Sequence, residues 1–83
     1  MNERQKKILL TRFGLNLKKA RKSTGMSQED FAFFCDLDRT YLSGLERGRR
    51  NPTLVTIATI SSRLGISLDS LLEKDVLDND EVD

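Results

Sequence analysis

The alternation of apolar and polar positions divides the chain into five helical segments, and no stretch reads as a strand. The first segment runs from about Glu3 to Ser23. Leu10, Phe13, Leu17 and Ala20 recur there at spacings of 3, 4 and 3, which places them on one helix face. Gly25 is its stop. The part up to Arg12 is an extension whose Ile8 and Leu9 need apolar neighbours. In MSQEDFAFFC, Ser27 is the N-cap, and Glu29 and Asp30 lie in the first turn, where the helix dipole favours anions. Met26 precedes the cap and can staple onto the helix, while Phe31, Ala32 and Cys35 share a face. A tight turn at Asp36-Leu37 leads to a third segment, capped by Asp38 and ended by Gly48. GRRNP is then a basic loop. Thr53 caps LVTIATISSRLG, with Leu54, Ile57, Ala58 and Leu64 expected to face inward and Gly65 as stop. Ser67 caps a short fifth helix, LDSLLEK, and the chain beyond Val76 is expected to fray. Connections this short suit a compact helical bundle. The expectation is an all-α, five-helix fold.

Composition narrows the function. The 83 residues make one small domain with one cysteine and no histidine. Cys35 has no internal disulfide partner, and a zinc site would lack its usual ligands. A secreted disulfide scaffold, a metalloenzyme and a histidine-based catalyst are therefore disfavoured, and no cofactor or metal is expected. No apolar run approaches the roughly eighteen residues of a membrane span. The charged N-terminus, MNERQKKILLTR, lacks the apolar core of a signal peptide. These features point to a soluble, cytoplasmic protein.

The net charge of +1 conceals an asymmetry. Residues 1–72 carry 13 basic and 7 acidic side chains, a net of +6, whereas residues 73–83 carry 1 basic and 6 acidic, a net of −5. A basic body suits a polyanion; an ordinary solvated surface is the alternative.

The second and third segments form two short helices joined by a tight turn, the helix-turn-helix arrangement, whose second helix enters the major groove of DNA. The pattern occurs in many helical bundles, but the faces of the third segment sharpen it. At about 100° per residue, Leu42 and Leu45 define a core face. Arg39, Thr40, Ser43, Gly44 and Arg47 form one polar arc with two arginines and no acid. A solvated helix face would mix glutamate with lysine. Arginine is the commonest reader of guanine edges. Gly44 admits two readings, close approach of a partner or packing against another helix. Tyr41 flanks the arc, either to donate to a phosphate or to pack partly into the core.

MSQEDFA, LDRTYLSGLERG and NPTL, with FGLNLKKAR upstream, closely resemble the Cro/lambda-repressor type helix-turn-helix regulators, the XRE family. The resemblance covers Phe13 to Leu72. LDRTYLSGLER is also similar to the controller proteins of restriction-modification systems, which are small dimeric members of that family. The resemblance implies a lambda-repressor-like domain over residues 13–72, flanked by an extension at 1–12 and an acidic tail at 73–83. It implies base reading by Arg39, Thr40 and Ser43. It implies backbone contacts from Gln28, Tyr41, Arg47, Arg49, Arg50 and Asn51. It also implies an ion pair of Arg21 with Glu46 that ties the first helix to the third.

Phe33 and Phe34 depart from the family's pattern, since polar residues are usual there. Either one packs on the N-terminal extension or a partner chain, or both are partly exposed. The resemblance further implies a two-fold dimer with recognition helices about 34 Å apart. Ile60, Ile66, Leu68, Leu71 and Leu72 form the candidate dimer surface, with intramolecular core as the competing reading. The resulting expectation is a sequence-specific transcriptional regulator on a palindromic double-stranded operator, without a small-molecule ligand. An antitoxin or phage-type repressor with a protein partner is the alternative. An enzyme is not expected, because no carboxylate pair with a nearby base stands out.

Overall fold

The structure, a computed structural model, describes residues 1–74. Helix α1 spans Glu3–Ser23, α2 Gln28–Phe34, α3 Arg39–Glu46 and α4 Leu54–Leu64, and a 3-10 segment follows at Leu68–Leu72. No strand occurs among the described residues. The fold is all-α, but with four α-helices rather than five. The expected fifth helix is a 3-10 stretch of five residues, and Ser67 makes no side-chain cap bond to its backbone. A run that short favours the tighter i→i+3 ladder. The tail beyond Val76 lies outside the described residues.

Side chains fix where the α-helices begin. Asn2 and Gln5 form a reciprocal capping box ahead of α1, at 2.8 and 2.9 Å. The side chains of Ser27, Asp38 and Thr53 accept from the backbone N–H groups of Asp30, Tyr41 and Thr56. The α2–α3 turn closes when Leu37 N donates to Ala32 O at 2.8 Å and Asp36 N to Phe33 O at 3.1 Å. Asp36 sits there with φ of 59°. Aspartate tolerates this left-handed conformation better than most side chains do. The turn returns Leu37 to the core.

That core contains Phe13 and Leu17 of α1, Phe31 and Ala32 of α2, Cys35, Leu42 and Leu45 of α3, Ile60 of α4, and Leu71. Two contacts set how α1 lies across it. Asn16, itself buried, donates through Nδ2 to the carbonyls of Leu71 and Glu73 at 3.0 Å each, tying the 3-10 segment to α1. At Gly14 the backbones of α1 and α3 meet. A Cβ there would lie 2.5 Å from Leu45 O and 2.6 Å from Glu46 O.

The inward face of α4 differs from the expected one. Ile57, Ile60, Ser61 and Leu64 turn inward, whereas Ala58 is exposed and Leu54 is 72% exposed. Ile57 and Leu64 are inward as expected, while Ile60 and Ser61 take the places expected of Leu54 and Ala58. Leu54 is the first residue of the helix, and the core does not extend that far. On α2, Phe33 is 88% exposed, while Phe34 tilts against Phe31 with Arg63 above its ring at 5.6 Å. Of the extension's apolar residues, Leu9 is half-buried and Ile8 is exposed. Helix α1 runs unbroken across the Arg12–Phe13 boundary. Burial pushes the Cys35 thiol up, against a smaller opposing pull from Arg63, which keeps it a poor nucleophile. No helix of the described residues is long and apolar enough to cross a membrane.

Gly14→Ala tests the close approach of α1 to α3. It adds a better helix former, yet it is expected to destabilise by about 1–3 kcal/mol through overpacking. Urea denaturation measures this, and unchanged or higher stability would show that the helices are not in backbone contact.

Candidate nucleic-acid interface

Helix α3 is held by its apolar side and displayed by its polar side. Leu42 and Leu45 are completely buried. Arg39, Thr40 and Arg47 are exposed, and Ser43 is half-buried. The C-terminus of α3 closes through Gly48 N to Leu45 O at 3.1 Å and Arg49 N to Gly44 O at 2.8 Å. This closure starts the basic loop beside the helix, where Arg49, Arg50 and Asn51 are all exposed. The structure therefore keeps Arg39, Thr40 and Ser43 on α3 with Arg47 at its C-cap and lays Arg50 across the helix at Gly44, whereas Asn51 lies toward Leu9, Phe13 and Ile57.

The orientation of α3 is fixed at its end by a buried ionic network. Arg21 of α1 donates from Nε to Glu46 Oε2 at 2.6 Å and from Nη2 to Glu46 Oε1 at 3.1 Å. Its third nitrogen, Nη1, donates to the Met26 carbonyl at 2.9 Å. Gln28, the first residue of α2, donates from Nε2 to Glu46 Oε1 at 3.0 Å. Arg21 and Glu46 are only 8% and 5% exposed. Bidentate, charge-assisted bonds of this kind impose direction as well as energy. One carboxylate thus joins α1, the start of α2 and the end of α3.

Two consequences bear on the interface. Glu46 is the one acid within α3, and Arg21 neutralises it out of contact with solvent. Arg39, Arg47, Arg49 and Arg50 are all exposed, and Asp38, at the start of α3, is engaged as its cap. Gln28 already uses one N–H on Glu46, so a phosphate at this helix start would meet its remaining N–H and the backbone amides.

Gly44 does not lie open on the arc. It is buried, and the side chain of Arg50 covers it. Tyr41 is half-buried, packs against the core, and carries Arg50 over its ring, with Cζ 5.9 Å from the centroid. Sequence reasoning could not see this cover, because a loop six residues downstream supplies it.

The candidate dimer surface needs correction. Ile60 and Leu71 are fully buried within the single chain and have no surface to offer a second copy. Ile66 packs partly on the same core. Leu68 and Leu72 remain exposed, at 42% and 40%. Leu54 and Val55 were missed as exposed apolar residues, at 72% and 75%. Their place at the very start of α4 was the available signal. Among the described residues, no cluster of three or more histidine, cysteine, aspartate or glutamate side chains is placed to hold a metal.

A short helix crossing the start of a second, whose polar face stands free beside a basic loop, defines a helix-turn-helix protein. Residues 17–71 match the family described as Helix-turn-helix (HTH_3), and the chain belongs to that family. It is 56% identical over 61 residues to the control protein C.MunI of a Mycoplasma species, covering 72% of this chain and 82% of that one. It is 46% identical over 70 residues to the control protein C.BamHI of Bacillus amyloliquefaciens, covering 83% and 86%. Among solved structures it is similar to the restriction-modification controller protein C.Esp1396I, a tetramer in complex with its natural 35 base-pair operator. The TM-score there is 0.72 at 40% identity, covering 83% of this chain and 95% of that one.

Glu46→Ala should cost about 3–5 kcal/mol, because it leaves Arg21 buried and unpaired. The double substitution Arg21→Met with Glu46→Leu should cost much less than that, since it removes both charges together. Thermal and urea unfolding of the two variants give the comparison. Equal losses in both would mean that packing, not the uncompensated charge, is what matters at this site.

Proposed function

We propose that this chain is a sequence-specific DNA-binding transcriptional regulator acting in the cytoplasm as a homodimer, and specifically the controller protein of a restriction-modification system. In this reading Arg39, Thr40 and Ser43 read base edges in the major groove. Gln28, Tyr41, Arg47, Arg49, Arg50 and Asn51 fix the register on the phosphate backbone. The second copy docks through exposed apolar side chains of α4 and the 3-10 segment, namely Leu54, Val55, Leu68 and Leu72.

The observation that carries the reading is the polar face of α3. Its arginines stand free because its single acid is turned inward onto Arg21. A solvated helix face has no use for that arrangement, whereas an anionic groove does. The controller assignment is supported by two similar control proteins, C.MunI and C.BamHI, of which this chain covers 82% and 86%. The immunity repressor of Bacillus phage phi105 is 32% identical over 68 residues, but the match covers 47% of that protein.

Arg39→Ala should weaken binding to the selected operator by about 1–3 kcal/mol and relax base preference there, with little change on random DNA. Fluorescence anisotropy on both DNAs at several salt concentrations reads this. Equal weakening on both would remove Arg39 from the base-reading set.

A further inference from the structure

We propose that Gly44 and the aromatic ring of Tyr41 form a seat on α3 that holds Arg50 ready for a phosphate, so that Gly44 and that ring, as distinct from the Tyr41 hydroxyl, act on DNA through Arg50. This rests on the assignment of Arg50 to the DNA backbone. Arg50 is a loop residue, exposed and six positions beyond Gly44. Its stem nevertheless lies across α3. A Cβ on Gly44 would stand 2.7 Å from Arg50 Cγ, 3.4 Å from Nε and 3.6 Å from Cδ. The guanidinium then rests 5.9 Å over the Tyr41 ring. The base of the loop is pinned to the same helix by the Arg49 N to Gly44 O bond of 2.8 Å. Backbone and side chain are thus both referred to α3.

The arrangement has a definite physical effect. An exposed arginine spreads over many rotamers, and capturing a phosphate costs that freedom. The ring attracts the guanidinium without engaging its N–H groups in a hydrogen bond, which leaves them available for an oxyanion. The seat removes much of the ordering cost before DNA arrives. Glycine is a poor helix residue, but any β-carbon at position 44 would occupy the space of the Arg50 stem. Gly44 is therefore a positioning residue, and so is the aromatic ring of Tyr41.

Four single variants and one double variant of the full chain test this, with circular dichroism and thermal melting to confirm folding. In the free protein, proton NMR should show the Arg50 side-chain signals shifted upfield by the Tyr41 ring. The shift should persist in Tyr41→Phe and vanish in Tyr41→Leu and Gly44→Ala. By anisotropy, Gly44→Ala should weaken operator and random DNA alike by about two- to tenfold, the cost of ordering one arginine. Its salt dependence should stay that of the wild type, because the phosphate is still reached. Arg50→Ala should reduce the salt slope by about 0.9. In an Arg50→Ala background, Gly44→Ala should have no further effect.

An equal loss in both backgrounds overturns the proposal, since Gly44 would then act independently of Arg50. An Arg50 signal without ring shift in the wild type also overturns it. Should Gly44→Ala fail to fold, Tyr41→Leu against Tyr41→Phe carries the same comparison. If Arg50→Ala changes neither affinity nor salt slope, the phosphate assignment falls, and the seat loses its role in binding even where the ring shift is present.

Discussion

The Arg21–Glu46 pair is the constraint on which the rest of the molecule depends. Helix α3 is eight residues long and α2 is seven. Helices of that length are not stable on their own, so tertiary contacts must set their direction. Leu42 and Leu45 hold α3 down, but apolar contacts alone permit a helix to roll and slide. The carboxylate of Glu46 removes that latitude by accepting from Arg21 twice and from Gln28 once. Because Arg21 also holds the Met26 carbonyl, the entry to α2 is fixed in the same network. A buried pair of this kind contributes little net stability compared with an apolar substitute. What it contributes is a defined angle between α2 and α3.

Everything at the interface follows from that angle. The Gly14 crossing brings α1 against the carbonyls of Leu45 and Glu46, so the end of α3 is backed by a long helix rather than by a loop. The opposite side of α3 then stands free with its arginines, and the loop beyond Gly48 adds its own. The charge distribution is a product of folding as much as of composition. The body is basic overall, and the polar face of α3 itself carries no acid because Glu46 is folded away onto Arg21. For a polyanion such as DNA, this concentrates favourable potential where the helix must approach.

Much of this was legible beforehand, for reasons visible in particular residues. Ser27, Asp38 and Thr53 announce helix starts because a capping oxygen has a local, two-to-three-residue geometry that sequence alone specifies. The starts of α2, α3 and α4 follow from those caps, and Gly25, Gly48 and Gly65 mark the ends of α1, α3 and α4. The recognition-helix face was legible because Leu42 and Leu45 leave only one side for the arginines. What sequence did not disclose is non-local. On α4, Ile57 and Leu64 were placed correctly, but Leu54 and Ala58 fit a helical period as well as Ile60 and Ser61 do. Only the position of the rest of the core chooses between them. Ile60 and Leu71 looked surplus until Asn16 was seen to draw the 3-10 segment onto α1. Gly44 looked open because nothing in the helix itself covers it, and its cover comes from Arg50 in the next loop.

In the proposed function, the exposed face of α3, set by this network and presented twice by a symmetric pair of chains, reads a DNA sequence. The most direct measurement is selection of bound duplexes from a random DNA pool, followed by sequencing. The account predicts one enriched motif made of two inverted half-sites, with centres about 10–10.5 base pairs apart or a multiple of that spacing. A pool that enriches no motif, or a single unpaired site, would contradict it.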